Sequence, residues 1–323
     1  MAVMTNDIRS RRLRSGLLVA VASAMSFGLS GPLARGLMDA GWTAAAAVAV
    51  RVLVAAAVLA PIAAIQLRGA PGLLRRNAAL ITAYGLLAVA GTQLAYFNAV
   101  RHMEVGVALL IEYTAPIAVV GWLWARHRER PGAATVAGGL IGILGLILVI
   151  DLRSGLAASW AGIAWALAAM IGAAAYFVLS AQGAGSLPGT VLAAGGLTVG
   201  GLTLLAAGAA GLVPLAAATN PVAFQGFTVA WWVPVLLLGT VTAAFAYVSG
   251  IAATRLLGSR LASFVALFEV LAALSFAWLL LGEAPRALQL LGGALILVGV
   301  VVVRRGEPAQ ISAAAAETAA PSR

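Results

Sequence analysis

Ten stretches of this chain are long and apolar enough to cross a bilayer, and no soluble fold hides that many. A membrane helix needs about 20 mostly apolar residues. The stretches fall at about 16–38, 43–67, 78–100, 105–125, 133–150, 159–181, 188–212, 230–252, 259–281 and 286–303. A membrane β-barrel would need alternating strands of about 10 residues. Runs such as Leu140 to Ile150 do not alternate, and the chain is rich in Ala and Leu. Composition agrees, with 63% hydrophobic and 9% charged residues. A soluble chain carries about 25% charged residues, so this one cannot cover a water-facing surface of its size. The expected fold class is an all-α membrane protein.

Missing residue types exclude whole chemistries. There is no Cys, which removes disulfides, thiolate metal sites and Cys nucleophiles. All 20 basic residues are Arg. The absence of Lys removes a Schiff base and the lysine of a phosphate-binding loop. His102 and His127 are the two histidines, too few for a histidine-rich metal site. No His-Glu-x-x-His, no Gly-x-Ser-x-Gly and no cluster of Asp occurs. The sequence therefore predicts no enzyme, no cofactor and no metal.

The net charge is +10. In a soluble protein this would suggest nucleic acid. Here the arginines sit in short gaps between apolar stretches, the pattern that orients a chain in a membrane. With the N-terminus inside, the inner segments hold Arg9, Arg11, Arg12, Arg14, Arg68, Arg75, Arg76, Arg126, Arg128, Arg130, Arg255, Arg260, Arg304 and Arg305. The outer segments hold Arg35, Arg101, Arg153 and Arg286. Both termini are thus expected in the cytoplasm and the chain in the plasma (inner) membrane. The first stretch is too long for a signal peptide and lacks an Ala-x-Ala exit, so it reads as an uncleaved span. Residues 1–15 form a basic cytoplasmic N-terminus. Residues 305–323 read as a polar, Ala-rich, disordered tail. The expected partners are the lipid bilayer and a small-molecule solute, with no nucleic acid.

Sliding the chain against itself by 154 positions reveals a repeat. Glu129-Arg130-Pro131 falls on Glu283-Ala284-Pro285, Gly138-Gly139 on Gly292-Gly293, Gly145 on Gly299, and Arg101 on Arg255. Near the N-terminus the offset drops to about 146–148, pairing Gly16 with Gly162. The copies cover 16–150 and 151–304 and hold five stretches each. Five is odd, so the second copy enters the membrane from the opposite side. Inverted repeats of this kind suit alternating access to a central site.

Two five-helix copies, each ending in a Glu-x-Pro loop and a Gly-Gly-x5-Gly helix, resemble the EamA-type branch of the drug/metabolite transporter superfamily. Ile111-Glu112-Tyr113-Thr114-Ala115-Pro116 is similar to the fourth helix of the first unit. Leu267-Phe268-Glu269-Val270, running on to Leu281-Gly282-Glu283, is similar to the ninth helix and its exit. The family often has Pro where Val270 stands. The resemblance implies ten transmembrane helices as two inverted five-helix repeats. It also implies a carrier, commonly an exporter of amino acids or other small metabolites, without a bound cofactor. Monomer and homodimer are both compatible.

A charge near a helix centre costs about 2.5–3.5 kcal/mol in a membrane, which marks functional candidates. Glu269 lies mid-stretch without a neighbouring charge partner and is the first candidate for proton coupling. Glu112 stands beside Tyr113 and Thr114, four residues before Pro116, whose missing N–H opens the helix. It can meet a substrate amine, or pair with Arg51 or Arg101 as a strut. Arg51 can snorkel outward or clamp a substrate carboxylate. Thr92, Gln93 and Tyr96 share one helix face, fit to line a pathway or to bond neighbouring helices. Tyr247, Ser263, Trp165 and Tyr176 are weaker candidates, and Trp231-Trp232 reads as an interface marker. Amino acid export leads, with efflux of lipophilic cations and, in another class, a membrane scaffold as alternatives.

Overall fold

A computed structural model describes residues 2–70, 72–103, 105–113, 115, 132–150, 160–182, 187–282, 284 and 287–306. Several expectations fall outside the described residues: Thr114, Pro116, the rest of the fourth stretch, both Glu-x-Pro anchors and the tail from 307.

Among the described residues, seven helices are long and apolar enough to cross a membrane. They are α1 (Leu13–Asp39), α2 (Ala44–Leu67), α3 (Ala78–His102), α6 (Trp160–Ala181), α7 (Gly189–Ala209), α8 (Trp232–Ser259) and α9 (Leu261–Leu281). Between and after them come α4 (Val105–Glu112), α5 (Ala133–Ile150) and α10 (Ala287–Gly306). The sequence did not foretell a small antiparallel hairpin, β1 (Val222–Phe224) with β2 (Phe227–Val229), between α7 and α8.

Local chemistry explains the ends. Thr43 caps α2 by accepting from the Ala46 N–H, which satisfies one of the free donors of a helix start. At the far end of α9, Gly282 adopts φ +77° and its N–H returns to the Trp278 carbonyl. That left-handed stop favours a residue without Cβ. Near the end of α8, Gly258 kinks the chain with φ +81°.

Helices in hydrocarbon are not driven together by the hydrophobic effect, so close backbone approach and dispersion decide. Glycines mark the crossings. A Cβ at Gly145 of α5 would lie 2.6 Å from the Gly292 carbonyl of α10, and one at Gly299 would lie 2.7 Å from the Gly138 carbonyl. Each contact is the image of the other under the 154-residue offset. Elsewhere α2 packs on α7, α1 on α8 and α6 on α3. Exchanging the first five helices for the second five leaves this set of pairs unchanged.

Among the described residues, two helices widen in the middle. α3 is π-helical from Tyr84 to Gly91, and α8 from Thr240 to Phe245. The two segments end 154 residues apart. The helix of α4 gives way to a turn at Tyr113, and α9 is interrupted by a turn at Ala266-Leu267. Tyr113 and Leu267 are separated by the same interval.

Candidate functional site

The helix interruptions border a cavity lined by α1, α3, α4, α6, α8 and α9. It occupies one half of the bundle. α1 contributes residues 20–27, α6 173–177, α8 247–254 and α9 262–269. These are the portions of each helix nearer the end that carries Arg14, Arg68, Arg75 and Arg76. The other half is closed. A Cβ at Gly28 would lie 2.6 Å from that of Ala272, and one at Gly31 would lie 2.9 Å from Val105 Cγ1.

The hairpin segment clasps that closed end. Trp42 Nε1 donates to Ala218 O at 2.7 Å, Thr43 Oγ1 to Pro214 O at 2.7 Å, and Asn220 Nδ2 to Ala40 O at 3.2 Å. Gln225 N–H reaches Leu280 O of α9 at 2.6 Å. One loop thus holds the α1–α2 turn and the end of α9 together. Trp231 faces Trp42, with ring centroids 6.1 Å apart.

Both expected carboxylates reach the cavity. Glu112 stands where α4 ends, and its Oε2 is buried without a hydrogen-bond partner among the described residues. Neither Arg51 nor Arg101 pairs with it among those residues, and Arg101 is exposed. Glu269 stands two residues beyond the α9 turn, its N–H bonded to Ala266 O at 2.8 Å. Its carboxyl is within hydrogen-bonding reach of the Tyr113 hydroxyl. Three expected residues, Glu112, Tyr113 and Glu269, therefore meet in one place.

Arg51 does not snorkel. It is 1% exposed and lies outside the cavity lining. Its guanidinium donates to Gln93 Oε1 and to Thr242 O, and its Nε has no partner among the described residues. The group also sits 6.0 Å from the Phe27 ring centroid and 5.8 Å from that of Phe97, close enough for cation–π attraction.

On α3, Thr92 and Gln93 line the cavity. Thr92 Oγ1 donates to Leu87 O at 2.7 Å, a carbonyl of the wide turn, and packs against Gly172 of α6. Gln93 is in hydrogen-bonding reach of Tyr247, whose hydroxyl donates to Ala88 O at 3.3 Å. Tyr96 is buried a turn further on, against Gly31 in the closed half. Tyr176 and Tyr247 line the cavity, whereas Ser263 is buried beside it and Trp165 is exposed.

Sequence reasoning missed Phe27 and Phe177, which meet Tyr176 edge to face, and Ser23 and Thr254. They are single ordinary residues within apolar runs, and no spacing distinguishes them. Among the described residues, no group of His, Asp or Glu is placed to hold a metal ion.

Relatives agree with this architecture. The sequence pattern of the EamA-like transporter family matches residues 14–151 and again 160–305. A solved structure, described only as a crystal structure of a protein, superposes with a TM-score of 0.69. The match is 22% identical and covers 91% of this chain and 99% of that one, which speaks for the fold alone. No curated protein matches the chain closely enough to be compared. Two family matches, end to end over a bundle of apolar helices around a cavity, make this a multi-pass membrane protein of the transporter class. The chain belongs to the EamA-like transporter family.

Proposed function

We propose that the chain is a secondary active transporter that exports small amine-bearing metabolites, amino acids foremost, by alternating access. The observation that carries this reading is the pair of carboxylates, Glu112 and Glu269, on the wall of one cavity in an apolar bundle. Buried acids in a membrane are costly and mark solute and proton pathways. A substrate ammonium suits two carboxylates beside the rings of Tyr113, Tyr176 and Tyr247.

In this reading ten helices form two inverted repeats, in the plasma membrane with both termini in the cytoplasm. The shared 154-residue interval of the wide turns, the interruptions and the α5–α10 glycines supports the repeat. The arginine-rich end then faces the cytoplasm, and the cavity belongs to an inward-facing state. Glu269 is the residue assigned to proton coupling. Moving one charge through the membrane is worth about 2.3 kcal/mol per 100 mV, enough for roughly tenfold accumulation or more.

One observation favours a second reading, efflux of lipophilic cations. Phe27, Phe177, Tyr176 and Tyr247 cluster at the carboxylates, while Arg51 stays out of the cavity. Solutes outside cells overexpressing wild type or Glu269→Gln, at matched membrane levels, test both readings. Accumulation of an amino acid only with wild type supports the first. Resistance to cationic dyes without amino acid release supports the second. Equal export by both proteins removes Glu269 from the coupling role.

A further inference from the structure

We propose that Arg51 is a positioning residue. It holds the Gln93 side-chain amide so that Gln93 turns an N–H toward the acidic end of the substrate, without touching substrate itself. This rests on the reading of the cavity as a site for amine-bearing metabolites and narrows it to those that also carry a carboxylate.

The argument starts from donor and acceptor inventories. A guanidinium can only donate, and a Gln amide has one accepting and one donating end. Arg51 donates to Gln93, so Oε1 must face Arg51 and the amino end must face away. Gln93 lines the cavity and Arg51 does not. Tyr247 lies within reach of one amide hydrogen and sends its own hydrogen to Ala88 O at 3.3 Å, so its oxygen is open to accept. The second is left for whatever fills the cavity. A buried cation directly behind the amide strengthens that donor toward an anion, because field lines are poorly screened in an apolar surround. Without Arg51 the amide is free to turn and to present oxygen, which repels a carboxylate. Glu112 and Glu269, from α4 and α9, meet the ammonium. The cavity thereby acquires two poles of opposite preference.

A merely structural Arg51 would staple α2 to α8 through Thr242 O and leave selectivity alone. Probe pairs separate the two roles. Full-length protein in lipid nanodiscs is assayed for binding each protein amino acid and the amine that lacks only its carboxylate, such as phenylalanine and 2-phenylethylamine. Wild type is expected to prefer the acid-bearing member of at least one pair. Arg51→Met is expected to lose about tenfold of that preference, while amine affinity stays within about twofold. Arg51→Lys, which still donates, should recover part. Unchanged preference in Arg51→Met, or equal weakening of both probes, overturns the proposal. If Arg51→Met does not fold, Gln93→Glu carries the test, since its carboxylate pairs with Arg51 and offers no N–H. Preference for the acid retained in Gln93→Glu also overturns the proposal. Wild type that binds amines without preferring acids overturns this inference alone. Wild type that binds neither member of any pair overturns the amine-metabolite reading along with it.

Discussion

Gln93 and Tyr247 stand 154 positions apart in the chain and lie within hydrogen-bonding reach of each other on the cavity wall. The same interval separates Ala88 from Thr242, whose carbonyls accept from Tyr247 and from Arg51. Equivalent residues of the two copies thus meet just past equivalent wide turns. A π-turn departs from the regular i→i−4 ladder, so side chains can take up its carbonyls. Arg51 breaks the equivalence, because the second copy has the uncharged Leu197, Thr198 and Val199 in the matching part of α7.

Glu112→Gln and Glu269→Gln are expected to separate function from folding. Each keeps the shape of the side chain, so the melting free energy should move by no more than about 1 kcal/mol. Export should fall about tenfold or more in at least one of them, because the site loses a charge held in an apolar surround. Glu112 Oε2 lacks a partner among the described residues, so Glu112→Gln should melt no lower than wild type. Thermal melts and efflux rates on the same preparations check both statements.

In the proposed export cycle the closed half opens for a solute to leave. Gly28 and Ala272 face each other there, with Cβ positions 2.6 Å apart. A pair of cysteines at these sites would hold the only thiols in the chain. Slight easing of the helices brings them to the disulfide range of about 3.5–4.5 Å between Cβ atoms. Oxidation is expected to stop transport and a reductant to restore it. Full transport by the oxidised form would show that α1 and α9 need not part.

Gly145→Leu should destabilise the bundle by about 1–3 kcal/mol, since the new side chain collides with α10 backbone. Gly299→Leu should do the same by the mirrored collision with Gly138 O. Gly132→Ala, at a site with nothing within 4 Å among the described residues, is the neutral control. Unfolding in detergent, followed by thermal melts, reads the difference.

Sidedness is checked with single cysteines. Thr228→Cys on the hairpin should react with an impermeant maleimide in intact cells. Gly69→Cys, in the loop after α2, should react only after permeabilisation. Labelling of both in intact cells would remove the proposed orientation.

The seven long spans among the described residues were legible because an apolar run is a local property, read without knowing its neighbours. Expected edges such as 16–38 and 188–212 lie within a few residues of Leu13–Asp39 and Gly189–Ala209. Glu112, Tyr113, Gln93 and Glu269 were legible for a related reason: a polar group in hydrocarbon stands out. Other parts depended on rotation about helix axes, which spacing alone does not set. Tyr96 shares a face with Gln93, yet a turn of helix carries it past the cavity to Gly31. Arg51 read equally well as an outward-reaching side chain or as a ligand. Its place behind Gln93 follows from α3 and α8 crossing beside it. The hairpin at 222–229 escaped notice because its strands are three residues each.

The two wide turns also bear on how such helices can move. A π-turn holds one residue more than an α-turn of the same hydrogen-bonded span. If that surplus is drawn in or paid out, everything beyond it rotates by about 100°, the angle of a single residue in a helix. Gln93 and Tyr247 lie just past the surplus in their respective helices. A change of phase in either one would swing its polar group off the cavity wall together with the part of the helix beyond it, while the part before the wide turn stayed in place. Each helix therefore contains its own swivel, set at the depth where the solute would lie.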